Sequence, residues 1–210
     1  MIGIFGGTFD PVHLGHLGLA RIAAKRLELE QVIFVPLGIP PHRAMPAVSA
    51  TDRLMMLRAA LAPYERYAID TSEIEKQTPS WTIETLAYFA RNMPEQTLCL
   101  LMGADAFRSI DQWHRWQSLL DYGHIAVIER KGHGDELNTV VAEFLLHHQV
   151  DVLPSDIGRK TGAIFWLEAD VPEVSSSMVR DLIKAGEPVD KLLPPEVAGL
   201  IMENGFYGYR

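Results

Sequence analysis

Short apolar runs rich in β-branched residues alternate along the chain with stretches whose apolar positions recur every three or four residues. The runs fall at residues 2–5, 31–36, 67–69, 97–102, 124–129, 150–153 and 163–167. They are continuous rather than alternating, the pattern of strands covered on both faces. Leu17, Ala20, Ala24 and Leu27 make an apolar stripe on a first helix. Residues 51–61, 82–91, 136–147 and 176–185 read the same way, with Gly186 as a helix stop. A terminal helix over 195–204 follows Pro194 and Pro195 and ends before Gly205. This order predicts an α/β protein: a doubly wound, mostly parallel sheet with helices on both faces. In such sheets ligands bind at the carboxyl ends of the strands, where the strand order reverses. Residues that directly follow strands therefore bear on function. Residues 131–135, with Gly132 and Gly134, read as a surface loop instead.

Length and composition narrow this picture. The 210 residues fit a single domain over 1–210, its helical part from about 175 onward completing the site, with no staple needed. At 48% hydrophobic and 22% charged the chain is too apolar for disorder. Its one cysteine, Cys99, lies in an apolar run, so no internal disulfide forms and a reducing, cytoplasmic setting is expected. No stretch approaches the ~20 apolar residues of a membrane span, and residues 1–5 are too short for a signal segment. The net charge of −8 with no basic stripe argues against a nucleic-acid partner. An acidic protein that handles phosphates must hold them locally, with loop N–H groups and a few cations. The composition sets no oligomeric state and leaves a homo-oligomer open.

The loop after the first strand has that character. It runs Gly6-Gly7-Thr8-Phe9-Asp10-Pro11-Val12-His13-Leu14-Gly15-His16. Gly6 and Gly7 let a ligand approach backbone without a Cβ clash. Thr8 and its neighbouring N–H groups suit an anion site, and His16 lies near a helix N-terminus, where phosphate is favoured. His13 and His16, three apart, face the same way if this turn is helical, and Gly15 between them is expected to leave room for a nucleoside. The loop matches neither a dinucleotide-binding G-x-G-x-x-G nor a P-loop. Two histidines without a nearby third ligand, and with Asp10 set apart by Pro11, make a poor zinc site.

Gly-Gly-Thr-Phe-Asp-Pro-x-His-x-Gly-His resembles the signature of the nucleotidyltransferase superfamily, whose core is His-x-Gly-His. The resemblance implies a Rossmann-like fold and direct attack on the α-phosphorus of a nucleoside triphosphate, with release of pyrophosphate. It implies that His13 and His16 are catalytic, and that Gly6, Gly7, Thr8, Phe9, Gly15 and His16 bind ATP. Fixed N–H donors at the equatorial oxygens of the reacting phosphorus stabilise charge where it accumulates.

Three further stretches resemble the nicotinate-nucleotide adenylyltransferases within that superfamily, and a fourth the superfamily's second signature, all in the same chain order. Pro40-Pro41-His42-Arg43 looks like that family's Pro-Pro-His-Lys loop; Arg43 keeps the cation with a changed geometry. Ser80-x-Thr82-x-x-Thr85-Leu86 opens a helix, which Ser80 or Thr82 could equally cap; the resemblance makes Thr85 a substrate contact. Gly103-Ala104-Asp105 ends a strand, where Asp105 could be a plain cap; the resemblance places Gly103 and Asp105 beside ribose and phosphates. It also makes Trp113 the plate under the pyridine ring, while Trp116 packs inside. Val174-Ser175-Ser176-Ser177-x-x-Arg180 resembles the second superfamily signature, with Ser177 where threonine is usual. There Ser176 and Ser177 would hold the triphosphate and Arg180 the leaving pyrophosphate. The expected reaction joins ATP and nicotinate mononucleotide, with Mg2+ on the ATP phosphates. Thr8, Arg43, Thr85, Gly103 and Trp113 are the expected substrate side. An adenylyltransferase for nicotinamide mononucleotide or phosphopantetheine, and a nucleotide-sensing module without catalysis, stay open as alternatives.

Overall fold

The computed structural model describes residues 1–40, 45–130, 136–152, 156–170 and 172–209. Six strands form one sheet: β1 (Ile2–Gly7), β2 (Gln31–Pro36), β3 (Tyr67–Ile69), β4 (Leu98–Gly103), β5 (His124–Arg130) and β6 (Ile164–Ala169). Their order is β3-β2-β1-β4-β5-β6. The pairs β1–β4, β4–β5 and β5–β6 are parallel, with Ile4 opposite Leu100 and Gly103 opposite Ile128. From β1 the chain builds outward to β3, then returns to place β4 on the other side. The strand order therefore reverses between β1 and β4, and the expected doubly wound α/β sheet is the one observed.

Eight helices join the strands among the described residues: α1 (Leu14–Arg26), α2 (Ala50–Leu61), α3 (Ser72–Glu75), α4 (Thr82–Asn92), α5 (Ala104–Arg108), α6 (Thr139–His148), α7 (Ser176–Ala185) and α8 (Pro195–Asn204). Their ends follow capping chemistry. Ser49 accepts from the Asp52 N–H and starts α2, and Asn138 accepts from the Val141 N–H. Asn138 sets the start of α6 at Thr139, just short of one turn past Glu136, where periodicity suggests it. Trp81, not Ser80 or Thr82, holds the N-cap position of α4, and it makes no side-chain capping bond. Gly186 and Gly205 close α7 and α8 in the left-handed conformation (φ 73° and 61°).

The run at 150–153 is not a strand where it is described. Gln149 makes only an isolated bridge to Ile164, with the Val150 N–H donating to the Ile164 carbonyl. A charge at Asp151 and a half-exposed Val152 leave little apolar surface to extend the pairing. Residues 131–135 and most of the Pro40–Arg43 loop, Arg43 included, lie outside the described residues.

The chain divides into two compact units. One comprises Met1–Gly6, Leu19–Ile33 and Trp81–Asp170; Ile4, Leu98, Leu101, Phe107, Ile110 and Val127 are buried in it. Cys99 is fully buried there, and desolvation pushes its thiol pKa far up, so it is a small core residue. The other comprises Gly7–Gly18, Phe34–Ser80 and Val171–Arg210. Phe9, Val12, Phe34, Met56, Leu57, Val179 and Val197 form its core, with α2 against α8. Each such side chain contributes roughly 1.5–3 kcal/mol by leaving water. A Cβ at Gly38 would lie 2.0 Å from the Glu73 carbonyl oxygen, so only glycine fits that crossing. No helix is long and apolar enough to cross a membrane among the described residues.

Candidate active site

The loop from Thr8 to His16 enters α1 through a capping arrangement built from two imidazoles. His13 holds the N-cap position and His16 the third helical position. The His16 N–H donates to His13 Nδ1 at 3.4 Å, and the His13 N–H donates to His16 Nδ1 at 3.2 Å. This is the reciprocal logic of a capping box, with imidazoles in place of hydroxyl and carboxylate. It stacks the rings at 3.6 Å between centroids and 23° between planes. The expectation that both rings face the same way is met.

The same bonds assign the tautomers. A nitrogen that accepts an N–H carries no proton, so each neutral ring keeps its hydrogen on Nε2. Desolvation lowers the His16 pKa well below the ordinary imidazole value, and nearby His13 lowers it further. His16 is therefore a neutral Nε2–H donor at neutral pH. Phe9 backs the pair: its ring is 1% exposed and meets His16 edge-on at 5.0 Å. The Phe9 ring is thus core, and only its backbone, in a left-handed conformation (φ 50°), is left to meet a ligand.

Remote side chains clamp this loop. Arg53, 1% exposed, donates through Nη1 to the Thr8 carbonyl (2.6 Å) and through Nη2 to the Leu37 carbonyl (2.7 Å). It ties the segment after β1 to the segment after β2. Burial lowers its pKa, while Asp10 and Tyr207 pull it back up. The Asp10 carboxylate, 3% exposed, accepts from the Ala47 N–H (2.7 Å) and the Tyr207 hydroxyl (2.9 Å). Arg180 Nη1 donates to the Asp10 carbonyl (2.7 Å) and stands 3.8 Å from the carboxylate. Ser176 Oγ donates to the Pro11 carbonyl (2.9 Å), and the Leu14 N–H donates to the Leu192 carbonyl (2.9 Å). The Asp10–Pro11 peptide bond is cis.

Sequence reading had set Asp10 aside and had not singled out Arg53 or Tyr207. For Arg53 a signal existed: it shares the three- and four-residue spacing of buried Met56, Leu57 and Ala60 on α2. A charge on an apolar stripe must be paired, so the spacing implies buried partners for it. Nothing local marks Tyr207 as the partner of a residue 197 positions earlier.

Several expected roles change in detail. A Cβ at Gly15 would lie 2.9 Å from Val174 and 3.1 Å from His13 Nδ1. The absence of a side chain at Gly15 therefore makes room for the His13 ring and Val174. At Gly7 the Phe9 ring is the close neighbour, at 2.9 Å, whereas Gly6 has nothing within 4 Å and stays open to approach. Ser175 is the side-chain cap of α7, accepting from the Met178 N–H. Ser176 spends its hydroxyl on the Pro11 carbonyl, so its N–H group is what it can offer an anion. Ser177 is exposed, 3.0 Å from the Ser175 hydroxyl. Arg180 keeps Nε and Nη2 uncommitted among the described residues.

The remaining candidates belong to the first unit. Gly103 ends β4 and starts α5, with no atom closer than 3.8 Å to where a Cβ would stand. Asp105 is exposed and pairs with Arg108 at 3.2 Å. Thr85 is 4% exposed in the first turns of α4, its hydroxyl 3.4 Å from the Trp81 carbonyl. Trp116 is half-buried, not core, and meets Phe144 edge-on at 4.6 Å. Trp113, also half-buried, has no aromatic neighbour among the described residues. No cluster of three or more potential metal ligands occurs among the described residues.

Comparison with known proteins places this geometry in a family. The profile of the cytidylyltransferase-like family matches residues 4–182. A relative from Aeromonas hydrophila, named as a nicotinate-nucleotide adenylyltransferase, is 42% identical over 98% of this chain and 96% of its own. One of the same name from Dechloromonas aromatica is 37% identical over 98% of this chain and 97% of its own. The Plasmodium falciparum nicotinic acid mononucleotide adenylyltransferase, solved with NaAD, superposes with a TM-score of 0.73 at 16% identity, covering 100% and 98% of the two chains. That likeness bears on the fold, which is the Rossmann-like one expected.

Proposed function

The chain belongs to the cytidylyltransferase-like family and, within it, to the nicotinate-nucleotide adenylyltransferases, and from that membership we propose that it transfers the adenylyl group of ATP to nicotinate mononucleotide. The products are nicotinate adenine dinucleotide (deamido-NAD) and pyrophosphate, a step of NAD biosynthesis. A phosphate oxygen of the mononucleotide attacks the α-phosphorus of ATP. The new P–O bond forms as the bond to the bridging oxygen of pyrophosphate breaks, and that electron pair leaves with pyrophosphate. No protein nucleophile is needed; alignment and charge stabilisation are the task.

The paired imidazoles carry this reading. Both hold Nδ1 on backbone N–H groups, so both present Nε2–H as a fixed donor for the oxygens of the α-phosphoryl group. Around them, Gly6 and the backbone of Gly7, Thr8 and Phe9 approach the nucleotide. The N-terminal amides of α7 at Ser176 and Ser177 take the triphosphate, and the uncommitted donors of Arg180 take the leaving pyrophosphate. In this way α7 and the residues after it complete the ATP site. Gly103 and Asp105 serve the ribose, Arg43 and Thr85 the mononucleotide, and Trp113 its pyridine ring. Mg2+ enters as part of the ATP substrate and offsets phosphate charge. A buried, unpaired Cys99 suits a cytoplasmic setting.

The test is turnover of the purified chain with ATP and either nicotinate mononucleotide or its amide, followed by pyrophosphate release. Faster turnover of the acid supports the proposal. Preference for the amide or for phosphopantetheine, or pyrophosphate release without any acceptor, would replace it.

A further inference from the structure

Arg180 approaches the signature loop with only part of its guanidinium. Nη1 is fixed on the Asp10 carbonyl at 2.7 Å and lies 3.8 Å from the Asp10 carboxylate. A long side chain on a helix must give up rotamer freedom to hold a ligand, and this anchor removes that freedom beforehand. The anchor is itself held. One carboxylate oxygen of Asp10 accepts from the Ala47 N–H and the other from the Tyr207 hydroxyl. Tyr207 is 8% exposed, and it follows the turn that Gly205 makes after α8. Its hydroxyl stays protonated, because burial and Asp10 both push its pKa up. Asp10 therefore carries the only negative charge in a cluster with two guanidiniums, Arg53 and Arg180, among the described residues. Arg53, 1% exposed, spends both Nη groups on backbone carbonyls and keeps only a buried Nε. Arg180, 26% exposed, is the cation whose spare donors a ligand can reach.

We propose that Asp10, braced by Tyr207, is a positioning residue that aims the spare donors of Arg180 at the leaving pyrophosphate. Asp10 touches neither substrate; it acts through Arg180. The inference rests on the adenylyltransferase reading above and adds a role for the C-terminal segment of this chain.

Charge and positioning predict opposite signs, which makes the idea testable. Asp10→Asn keeps the shape, and its amide can donate to the Tyr207 oxygen in place of accepting from it. It removes a negative charge from an anion site. By charge alone, pyrophosphate should bind more tightly. If Asp10 orients Arg180, pyrophosphate should bind less well.

The reverse reaction isolates this effect: the dinucleotide plus pyrophosphate, with KM measured for each. We expect Asp10→Asn to raise KM for pyrophosphate about tenfold, the scale of one charge-assisted contact, while KM for the dinucleotide stays within about twofold. Tyr207→Phe should raise KM for pyrophosphate in the same selective way by roughly two- to fivefold. An unchanged or lower KM for pyrophosphate, or equal rises for both substrates, would overturn the proposal. If Asp10→Asn does not fold, Tyr207→Phe decides alone by the same selectivity. Arg180→Ala separates the two levels. If it leaves KM for pyrophosphate unmoved, the assignment of Arg180 in the adenylyltransferase mechanism fails. If it raises that KM while Asp10→Asn and Tyr207→Phe do not, the positioning role fails and the mechanism stands.

Discussion

The loop over residues 8–16 and the stretch over residues 103–116 both carry predicted site residues, yet they are held in opposite ways. The first is fastened from outside by Arg53, Ala47, Ser176, Arg180, Leu192 and Tyr207, which come from segments far along the chain. The second relies largely on neighbours. Asp105 pairs with Arg108, the Trp113 N–H donates to Ile110, and the Trp116 N–H donates to Trp113. The first loop buries Asp10 and His13; the second leaves Asp105 exposed. Groups that must meet a developing charge to within fractions of an ångström need rigid support. Groups that stack on a ring or meet a ribose tolerate looser support.

That contrast can be broken most directly at His16. His16→Ala removes a donor and one arm of the imidazole capping pair, and kcat should fall on the order of 10²–10³-fold with the fold retained. Steady-state kinetics beside circular dichroism checks this, and near-normal turnover would refute the reading of the loop. Next comes the clamp. Arg53→Met fits the apolar stripe of α2 but strands the Thr8 and Leu37 carbonyls. Urea unfolding should show a loss of about 2–4 kcal/mol, and a loss below about 1 kcal/mol would mean that the clamp is dispensable.

Acidity sharpens the comparison further, because His16 titrates abnormally. In the folded protein it binds its proton more weakly than in the unfolded chain, where imidazoles titrate near 6.5. As pH falls, the unfolded state takes up this proton first. The stabilisation is whole above about pH 6.5 and is lost as pH falls from there towards the depressed folded value. Buried His124 shifts in the same direction, chiefly through desolvation. Unfolding free energy should drop by about 1–2 kcal/mol between pH 7.5 and 5.5. A His16→Asn variant should show a shallower fall, and an unaltered slope would contradict the assigned neutral ring. The smallest effect belongs to the second stretch. Trp113→Ala should raise KM for the mononucleotide roughly two- to tenfold and leave kcat nearly unchanged. If kcat collapses instead, the looser region is as exacting as the tighter one.

What the chain spells out locally, it determined by itself. Periodicity located the six strands and the long helices, because burial repeats every two or 3.6 residues whatever the partner surface is. Gly6, Gly7, His13 and His16 stood out because a turn, a helix start and their spacing are all short-range matters, whereas Ser176 and Arg180 stood out only through their resemblance to a family signature. The run at 150–153, not a strand where it is described, shows the limit of that reading: a run extends a sheet only if it brings enough apolar surface to the edge.

Tertiary structure alone decided who holds the loop and which nitrogen of each imidazole bears hydrogen. It set the His13 ring against Gly15, sent the hydroxyl of Ser176 to a carbonyl, and brought Tyr207 to Asp10. Those outcomes depend on buried polar groups finding partners across many residues of chain. Such pairings follow the path of the backbone in space, and no spacing in the sequence encodes them.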